Sequence, residues 1–350
     1  MRSHYYRRMT KSSPAPRSET MRAAWRDRYG APDVVEVREV DRPTPPEGQV
    51  LVRLKAASVN RADLDGLKPR PGFVRLFMGI RAPRSHSVGV DAAGVVESVG
   101  PGVTRLKPGD EVMGDMFIGG QGSFAEYVRA PERAFQPIPP GMTFEEAATL
   151  PHSAILALQG LRRKDRTIKP GDKVLIDGAS GNVGPFAVQI AKSMGAEVTA
   201  VASTEKLDMV RSLGADHVID YTKDDYTKGS ERYDWIVDTD THHPIFRVRR
   251  ALKPNGVYVT LGGETGAILS GLIVGPLLSL FSDRWSGLML WWKPMNPADV
   301  DRLKELIAAG KVKPVIDRRY PLSQVVEALQ RVEDGDARGK VVVTMDESPG

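Results

Sequence analysis

The chain has 350 residues, of which 41% are hydrophobic and 27% charged, and it contains no cysteine. This hydrophobic fraction is ordinary for a folded protein and excludes a wholly disordered chain, while the length predicts about two domains. The absence of cysteine excludes disulfide bonds and every zinc site built on thiolate ligands.

The excess positive charge lies in the first twenty residues. The whole chain has a net charge of +5, and residues 1–20 hold five basic side chains against Glu19 alone, a net charge of +4. Since the rest is nearly neutral, we expect no nucleic-acid partner. Residues 1–20 lack a hydrophobic run of signal-peptide length, so we expect a disordered basic tail and a cytoplasmic protein. The longest hydrophobic stretch, residues 267–281, is interrupted by Pro276 and is too short to span a bilayer, so no integral membrane association is expected.

Residues 21–140 are predicted to form a β-rich unit. Short β-prone runs at 34–40, 50–57 and 92–99 are separated or followed by the turn sequences PPEG, GPGV and KPGD. Helical periodicity is scarce in this part of the chain. Near residue 143 the pattern changes, because Thr143 and Glu146 have the spacing of a capping box and precede a helical hydrophobic pattern.

From Lys173 onward, strand-like runs alternate with helical patterns. The predicted strands are KVLIDGA, EVTAVAS, DHVID, YDWIVDTD and NGVYVTLGG. Such alternation predicts an α/β fold with a Rossmann-type, doubly wound parallel sheet, here within a dinucleotide-binding domain at 141–312. A helix at 323–333 and a last strand at 340–345 follow, and from the residues alone that strand could join either sheet.

The segment VLIDGASGNVGPFAVQIA contains the glycine-rich turn. Ala179, Gly181 and Gly184 have the spacing A-x-G-x-x-G between a predicted strand and a predicted helix. We assign the tight turn to Ala179, close approach of a pyrophosphate to Gly181, and helix-on-strand packing to Gly184. The helix N-terminus adds free N–H groups and a positive dipole end. The predicted cofactor contacts in this turn are Ser180, Gly181, Asn182 and Val183.

The end of the second strand of this domain predicts the type of cofactor. An NAD site usually has an acidic residue there to bind the ribose 2′-hydroxyl, but this chain has Ser203 and Thr204 before Glu205. Ser203 can hydrogen-bond a 2′-phosphate, and Lys206 can pair with its charge. We therefore predict NADPH, although Ser203 could equally cap the next helix and Lys206 could be solvated.

Together these segments resemble the medium-chain dehydrogenase/reductase superfamily, in its zinc-free quinone-oxidoreductase branch. The resemblance extends from Met21 to about Met345 and is carried by AASVNRADL, GVDAAGVVESVGPGVTRLKPGDEV, GSFAEYV, LPHSAILALQGL, DGASGNVG and RGKVVV. It implies that residues 21–140 and 313–350 form a GroES-like catalytic domain. The family's zinc enzymes have Gly-His-Glu where this chain has Gly89-Val90-Asp91, so no metal site is expected.

The resemblance also implies where cofactor and substrate would lie. It places Asn60 beside the nicotinamide and substrate, and Ser203, Lys206 and Tyr221 around the 2′-phosphate. Leu261, Gly262 and Gly263 would lie beneath the nicotinamide half. Lys340 would approach the same cleft from the returning chain.

His152 begins the helix expected to border the nicotinamide pocket, at a position where relatives usually have a hydrophobic or amide residue. It is therefore a candidate for contact with substrate, although an isolated histidine is more often structural. Relatives also often have Thr at the position of Leu156 and Tyr near Asp65. These departures concern the substrate rather than the cofactor.

These patterns predict a zinc-independent, NADPH-dependent oxidoreductase that transfers hydride to a quinone or an α,β-unsaturated carbonyl. The cofactor supplies the hydride, so the protein has to orient two rings and stabilise developing oxyanion charge. The departures at Leu156 and Asp65 keep open an NADPH-binding sensor or structural protein with negligible turnover.

Trp291, Trp292 and the hydrophobic segment 267–281 follow the fifth strand of the cofactor domain. A contact with a membrane surface is one interpretation. A pocket lid or a dimer contact is favoured, because exposed hydrophobic patches of that size are uncommon on monomers. We expect a homodimer.

Overall fold

The structure is a computed structural model that describes residues 19–69, 72–119, 122–263 and 265–345. The predicted tail therefore lies outside the described residues except at its end, where the first strand begins at Thr20 rather than at Met21. Among the described residues, no helix has both the length and the hydrophobicity needed to cross a membrane.

The N-terminal part is built mainly from strands, as its β-prone runs predict. Its elements are β1 Thr20–Trp25, β2 Glu36–Asp41, β3 Gln49–Val59, α1 Arg61–Leu67, α2 Arg75–Met78, β4 Asp91–Val99, β5 Glu111–Asp115, β6 Tyr127–Pro131 and β7 Phe135–Pro137.

The middle part contains the predicted alternation of strands and helices. Its elements are α3 Phe144–Ala147, α4 Ser153–Gly160, β8 Arg162–Arg163, β9 Arg166–Thr167, β10 Lys173–Asp177, α5 Gly184–Ser193, β11 Glu197–Ala202, α6 Leu207–Ser212, β12 His217–Asp220, β13 Tyr233–Asp238, α7 Ile245–Arg250, β14 Leu252–Thr260, α8 Thr265–Leu269, α9 Gly275–Leu280, β15 Trp285–Leu288 and α10 Pro297–Ala308. The chain then returns through β16 Ile316–Pro321, α11 Val325–Glu333 and β17 Lys340–Thr344.

Two large sheets result, and they confirm the predicted fold class. A six-stranded parallel sheet has the order β12-β11-β10-β13-β14-β15, and a seven-stranded sheet has the order β16-β17-β3-β4-β5-β7 with β6 paired to β3. The sixth strand of the parallel sheet, β15, was not predicted. The last strand, β17, joins the β-rich sheet, where it lies parallel to β16 and antiparallel to β3. The domain boundaries stay a prediction.

The capping box at Thr143 is confirmed, but the helix it starts is short. The backbone N–H of Glu146 donates to Thr143 Oγ1 over 3.2 Å, and Glu146 Oε2 accepts from the Thr143 N–H over 2.9 Å. The helix ends at Ala147 and a second one begins at Ser153. Pro151 accounts for the break, since it has no N–H to continue the helical ladder.

Candidate active site

The glycine-rich turn lies between β10 and α5, at the switch point where the sheet continues to β11 on one side and β13 on the other. Gly178 turns the chain with a φ of +74°, and a side chain there would overlap Thr239 Oγ1. A side chain at Gly184 would overlap the Gly178 carbonyl oxygen. The tight turn thus belongs to Gly178, not to Ala179.

Gly181 differs from its neighbouring glycines because packing does not demand it. The nearest heavy atom to a Cβ at this position would be the Gly178 carbonyl oxygen at 3.5 Å, an ordinary contact. Packing within the protein therefore does not explain the absence of a side chain at Gly181. Close approach of a ligand such as a pyrophosphate would explain it. The turn therefore has the features of a dinucleotide site.

The turn also contacts the β-rich domain on both sides. The Ser180 carbonyl accepts from the N–H of Gly339 over 3.0 Å, next to Lys340. Asn182 Nδ2 donates to the carbonyl of Val59 over 3.2 Å, next to Asn60. Val183 directly precedes α5. The predicted cofactor turn and the predicted reaction site are thus brought together.

At the other end of the predicted cofactor site, Ser203 and Tyr221 follow two neighbouring strands. The Tyr221 N–H donates to the Ala202 carbonyl over 3.2 Å, and the Tyr221 side chain is 61% exposed. Lys206 differs, because it is buried and its Nζ donates to the carbonyls of Ala337, over 3.1 Å, and Gly335. Burial lowers the pKa of Lys206. Its ammonium is already bound by the protein.

A groove of about 350 Å³ lies beside Lys206. It contains a cationic side chain, Arg338, that was not predicted from the sequence as a phosphate contact. It is lined by Glu205, Asp317, Arg331, Asp336 and Arg338. Arg331 pairs with Asp317, whereas Arg338 has no ion-pair partner among the described residues and is exposed. The sequence signal that could have identified Arg338 is its position in the segment RGKVVV, two residues before Lys340.

The predicted nicotinamide end of the site contains a buried polar network centred on Asp91. Asp91 Oδ1 accepts from the His152 N–H over 2.8 Å. Asp91 Oδ2 accepts from Ser58 Oγ, Asn60 Nδ2 and Lys340 Nζ over 2.7, 2.8 and 3.2 Å. Asp91 and Lys340 are 0% and 1% exposed. A buried ion pair of this kind depends on the hydrogen bonds that surround it.

Asn60 lies in this network with its amide fully used. Its Oδ1 accepts from Lys340 Nζ over 2.6 Å and from Ser153 Oγ over 2.9 Å. Its Nδ2 donates to Asp91 and, over 3.3 Å, to the Ser58 carbonyl. An amide has two donor hydrogens and two acceptor positions, so Asn60 holds the network together. Contact with nicotinamide stays a prediction.

Asp63 joins the network at its edge. Its Oδ2 accepts from the N–H of Asn60 over 2.7 Å at the start of α1, while its Oδ1 is buried without a hydrogen-bond partner among the described residues. Burial raises the pKa of Asp63 to about 7. Asp63 therefore caps the start of α1.

His152 occupies the space between the two domains. Its Nδ1 lies 3.1 Å from Oδ2 of the fully buried Asp115, whose Oδ1 accepts from the Phe117 N–H over 2.8 Å. The His152 ring packs edge-on against Trp292, with centroids 5.1 Å apart, and at 6.2 Å from the Phe117 ring. Trp292 therefore packs directly against the His152 ring.

Beneath the glycine-rich turn, two carboxylates face each other across the switch point. Asp177 ends β10 and is paired in register with Asp238, which ends β13. Burial raises the pKa of both, that of Asp238 to about 6. Tyr258 Oη donates to Asp238 Oδ2 over 2.9 Å, and the Leu261 N–H donates to the Asp238 carbonyl over 2.9 Å. The pair thus underlies the predicted nicotinamide segment.

Gly262 and Gly263 continue that segment. The Gly262 carbonyl accepts from the hydroxyls of Thr241 and Thr260 over 3.0 and 2.9 Å. Gly263 has a φ of +125°, and a Cβ there would come within 2.9 Å of Thr241 Cβ. The backbone here follows a path that a side chain would block.

The described residues contain no group of three His, Asp or Glu side chains suited to a metal ion. Asp91, at the position of a zinc-site residue in the family's zinc enzymes, is instead bound by the four protein donors named above. The donor set present does not fit a metal. Independence from metal stays a prediction for activity assays.

Comparisons with known proteins place the chain among reductases. A family model described as alcohol dehydrogenase GroES-like domain matches residues 46–140, and one described as zinc-binding dehydrogenase matches residues 213–343. The human mitochondrial NAD(P)H oxidoreductase RTN4IP1 is 33% identical, over 95% of this chain and 91% of the relative. The 2-methylene-furan-3-one reductase of Solanum lycopersicum is 35% identical, over 90% of this chain and 76% of the relative.

A solved structure shares the whole architecture. The quinone oxidoreductase from Coxiella burnetii superposes with a TM-score of 0.82 at 27% identity, covering 94% of this chain and all of the other. The match therefore includes both sheets and the cleft between them.

Proposed function

This chain belongs to the medium-chain dehydrogenase/reductase superfamily, in its quinone-oxidoreductase-like branch, and from that premise we propose that it transfers hydride from NADPH to quinones or α,β-unsaturated carbonyls. Three of its relatives are named as a 2-methylene-furan-3-one reductase, an NADPH-dependent alkenal/one oxidoreductase and a quinone-oxidoreductase. The observation that supports it most directly is the junction of the open turn at Gly181 with the buried network of Asn60, Asp91 and Lys340.

The residues of this site would orient the reactants. The turn would hold the pyrophosphate through backbone N–H groups and the dipole of α5, and the bound cofactor would supply hydride. The network fixes β3, β4, β17 and the start of α4 relative to one another, which preorganises the cleft between the domains.

A screen for NADPH oxidation tests this function directly. Benzoquinones, cyclic enones and simple aldehydes would be offered to the purified full chain, and consumption of NADPH would be compared with that in the absence of acceptor. We expect turnover with quinones or enones and little with aldehydes. Tight NADPH binding without turnover on any of them would favour the alternative, an NADPH-binding sensor or structural protein.

The preference for NADPH over NADH is supported by the charges near Ser203. The residues at the end of β11 and directly after it, Ala202 and Ser203, are not acidic, and among the described residues Arg338 has no ion-pair partner and lies beside Lys206. We expect NADPH to bind at least tenfold more tightly than NADH, a difference of about 1.4 kcal/mol. Arg338→Ala should abolish most of this preference, because only NADPH has the phosphate. Equal loss of affinity for both cofactors would contradict the assignment.

Lys206→Ala provides the matched comparison. Because the Lys206 ammonium is bound to the carbonyls of Gly335 and Ala337, we expect this variant to lose thermal stability as well as NADPH affinity. Arg338→Ala removes an exposed side chain and should retain the wild-type melting temperature. The two variants separate recognition of the phosphate from stabilisation of the C-terminal segment.

A homodimer formed through the cofactor domain is part of the proposal. A π-helical turn, Ser270–Val274, joins α8 to α9, and this helical segment exposes hydrophobic side chains near the edge strand β15. They are Leu269, Ile273, Leu277, Leu280 and Phe281. Leu277→Asp combined with Phe281→Asp should convert a dimer to a monomer in light scattering. A wild-type monomer would rule the dimer out.

A cytoplasmic location also remains a proposal. Several relatives are named as mitochondrial or chloroplastic proteins. Residues 1–18 of this chain lie outside the described structure. Imaging the full chain and a variant lacking residues 1–18, each tagged at the C-terminus, tests the location. Organelle targeting that depends on those residues would contradict it.

A further inference from the structure

The groups around His152 fix the orientation of its imidazole ring. Asp115 is fully buried and engages His152 Nδ1 over 3.1 Å, and the N–H of Phe117 holds the other carboxylate oxygen. A carboxylate on Nδ1 fixes the ring orientation and places the exchangeable proton or lone pair on Nε2. Among the described residues, no hydrogen-bond partner engages Nε2.

A second unsatisfied group lies beside it. Nε1 of Trp292 is buried and has no hydrogen-bond partner within the described part of the chain, and the indole ring contacts the His152 imidazole at a centroid distance of 5.1 Å. A buried donor without a partner is unfavourable, because it has lost its hydrogen bonds to water. The cost would be removed by a ligand with an acceptor oxygen.

The surrounding surface indicates the shape of such a ligand. Phe117 and Trp292 pack against each other with ring centroids 5.1 Å apart and an interplanar angle of 73°. Phe117 comes from the β-rich domain and remains 54% exposed, whereas Trp292 comes from the segment after β15. Flat conjugated molecules pack well on aromatic faces.

We propose that His152, held by Asp115, is the proton donor of the reductase, acting on a flat conjugated carbonyl bound against Phe117 and Trp292. This inference rests on the proposed function. The placement of His152 supports it, since the next residue, Ser153, bonds both Asn60 and Lys340. The network beside the glycine-rich turn therefore continues directly into the dyad.

The proposed step is balanced for an enone. The β-carbon would gain hydride from NADPH, the carbon–carbon π pair would form a new double bond between the α-carbon and the carbonyl carbon, and the carbonyl π pair would move to oxygen, leaving NADP⁺ and an enolate. The Nε2–H bond of protonated His152 then breaks, and the proton passes to the α-carbon of the enolate, giving the saturated ketone directly. A second proton, taken from solvent, then restores protonated His152. A hydroquinone anion is a much weaker base than an enolate and can leave without this donor.

The charges that face His152 come from four elements. Burial lowers the pKa of His152, but Asp115 at the end of β5 and Asp91 on β4 raise it more, so that the pKa lies above its ordinary value; Lys340 on β17 opposes them. Asp63 on α1 also lies within electrostatic range. The acid form is lost as pH rises through the pKa of His152, so enone turnover should fall with rising pH.

The test compares His152→Asn with wild type on two acceptors, a cyclic enone and a benzoquinone, in the purified full chain. Asn retains a donor for Asp115 but cannot release a proton. We expect the enone kcat to fall about 100-fold and its pH dependence to disappear, with NADPH affinity retained. The quinone kcat should fall by less than about fivefold, since its product is not strongly basic.

Two further variants keep the test decisive. Asp115→Asn should move the pH profile of enone reduction to lower pH, because it removes the charge that raises the pKa of His152. His217→Asn is the matched control, since His217 pairs with Glu197 over 2.9 Å on an exposed strand of the cofactor sheet, and it should behave as wild type.

Three results would overturn the inference. An enone kcat within threefold of wild type in His152→Asn would exclude the donor role. An equal loss on both acceptors, together with a lowered melting temperature, would assign His152 a structural role. A wild-type protein that reduces neither acceptor would instead reject the proposed function itself.

Discussion

Breaking the buried pair of Lys340 and Asp91 should destabilise the protein more than any exposed ion pair would. The two groups lie 3.2 Å apart and are almost wholly removed from solvent. At an effective dielectric constant of about 20, Coulomb's law gives about 5 kcal/mol for charges at this distance. Lys340→Met leaves the Asp91 carboxylate buried without its counter-ion, which typically costs about 3–5 kcal/mol.

A double-mutant cycle measures the interaction. The free energy of unfolding would be determined in urea for Lys340→Met, Asp91→Asn and the combined variant. We expect the double variant to be about 2–3 kcal/mol more stable than the sum of the single losses predicts, since neither charge then remains alone. The exposed pair Lys107 and Asp110, 2.7 Å apart, is the control and should show no measurable coupling. Additive effects at Lys340 and Asp91 would refute the reasoning.

Three other expectations concern single groups. Burial raises the pKa of Asp63 to about 7, so below pH 7 the folded protein retains a proton that the unfolded chain has lost. The free energy of unfolding therefore falls as pH rises toward 7. Asp63→Asn should raise the melting temperature at pH 8 more than at pH 5. Gly184→Ala should fail to fold, whereas Gly181→Ala should melt like wild type and lose NADPH affinity in calorimetry. Reductase activity should survive prolonged chelation, and loss restored by zinc would reveal an unrecognised metal site.

Local pattern was sufficient for most of the cofactor domain. Each strand there is a short hydrophobic run ended by a turn, and helices such as α5 begin where Pro185 and the glycines allow. The capping box at Thr143 was equally local and was correct. The break at Pro151 was missed because the hydrophobic pattern continues across it. The sixth strand, β15, is short and contains Gly287, so its periodicity is weak.

The buried polar network around Asp91 could not be predicted from the local sequence pattern. Asp91, Asp115 and Ser58 belong to three different strands, and only the pairing of β3, β4 and β5 brings their side chains toward α4. Lys340 was expected in the cleft through family resemblance, but its bond to Asn60 depends on which sheet β17 joins. Lys206 was expected to meet a phosphate, and its burial under the returning chain follows from tertiary contacts that no motif encodes.

The place of β17 has a consequence for the order in which the protein is made. This strand pairs with β3, yet about 280 residues are synthesised between the two, which at 5–20 residues per second takes on the order of 15–55 seconds. By the end of that time the strands of the parallel sheet have all been synthesised, while residues 56–59 of β3 still have an unpaired edge. Such an edge is a site for association between chains. Nascent chains of this protein should therefore engage chaperones through their N-terminal half until the C-terminus leaves the ribosome.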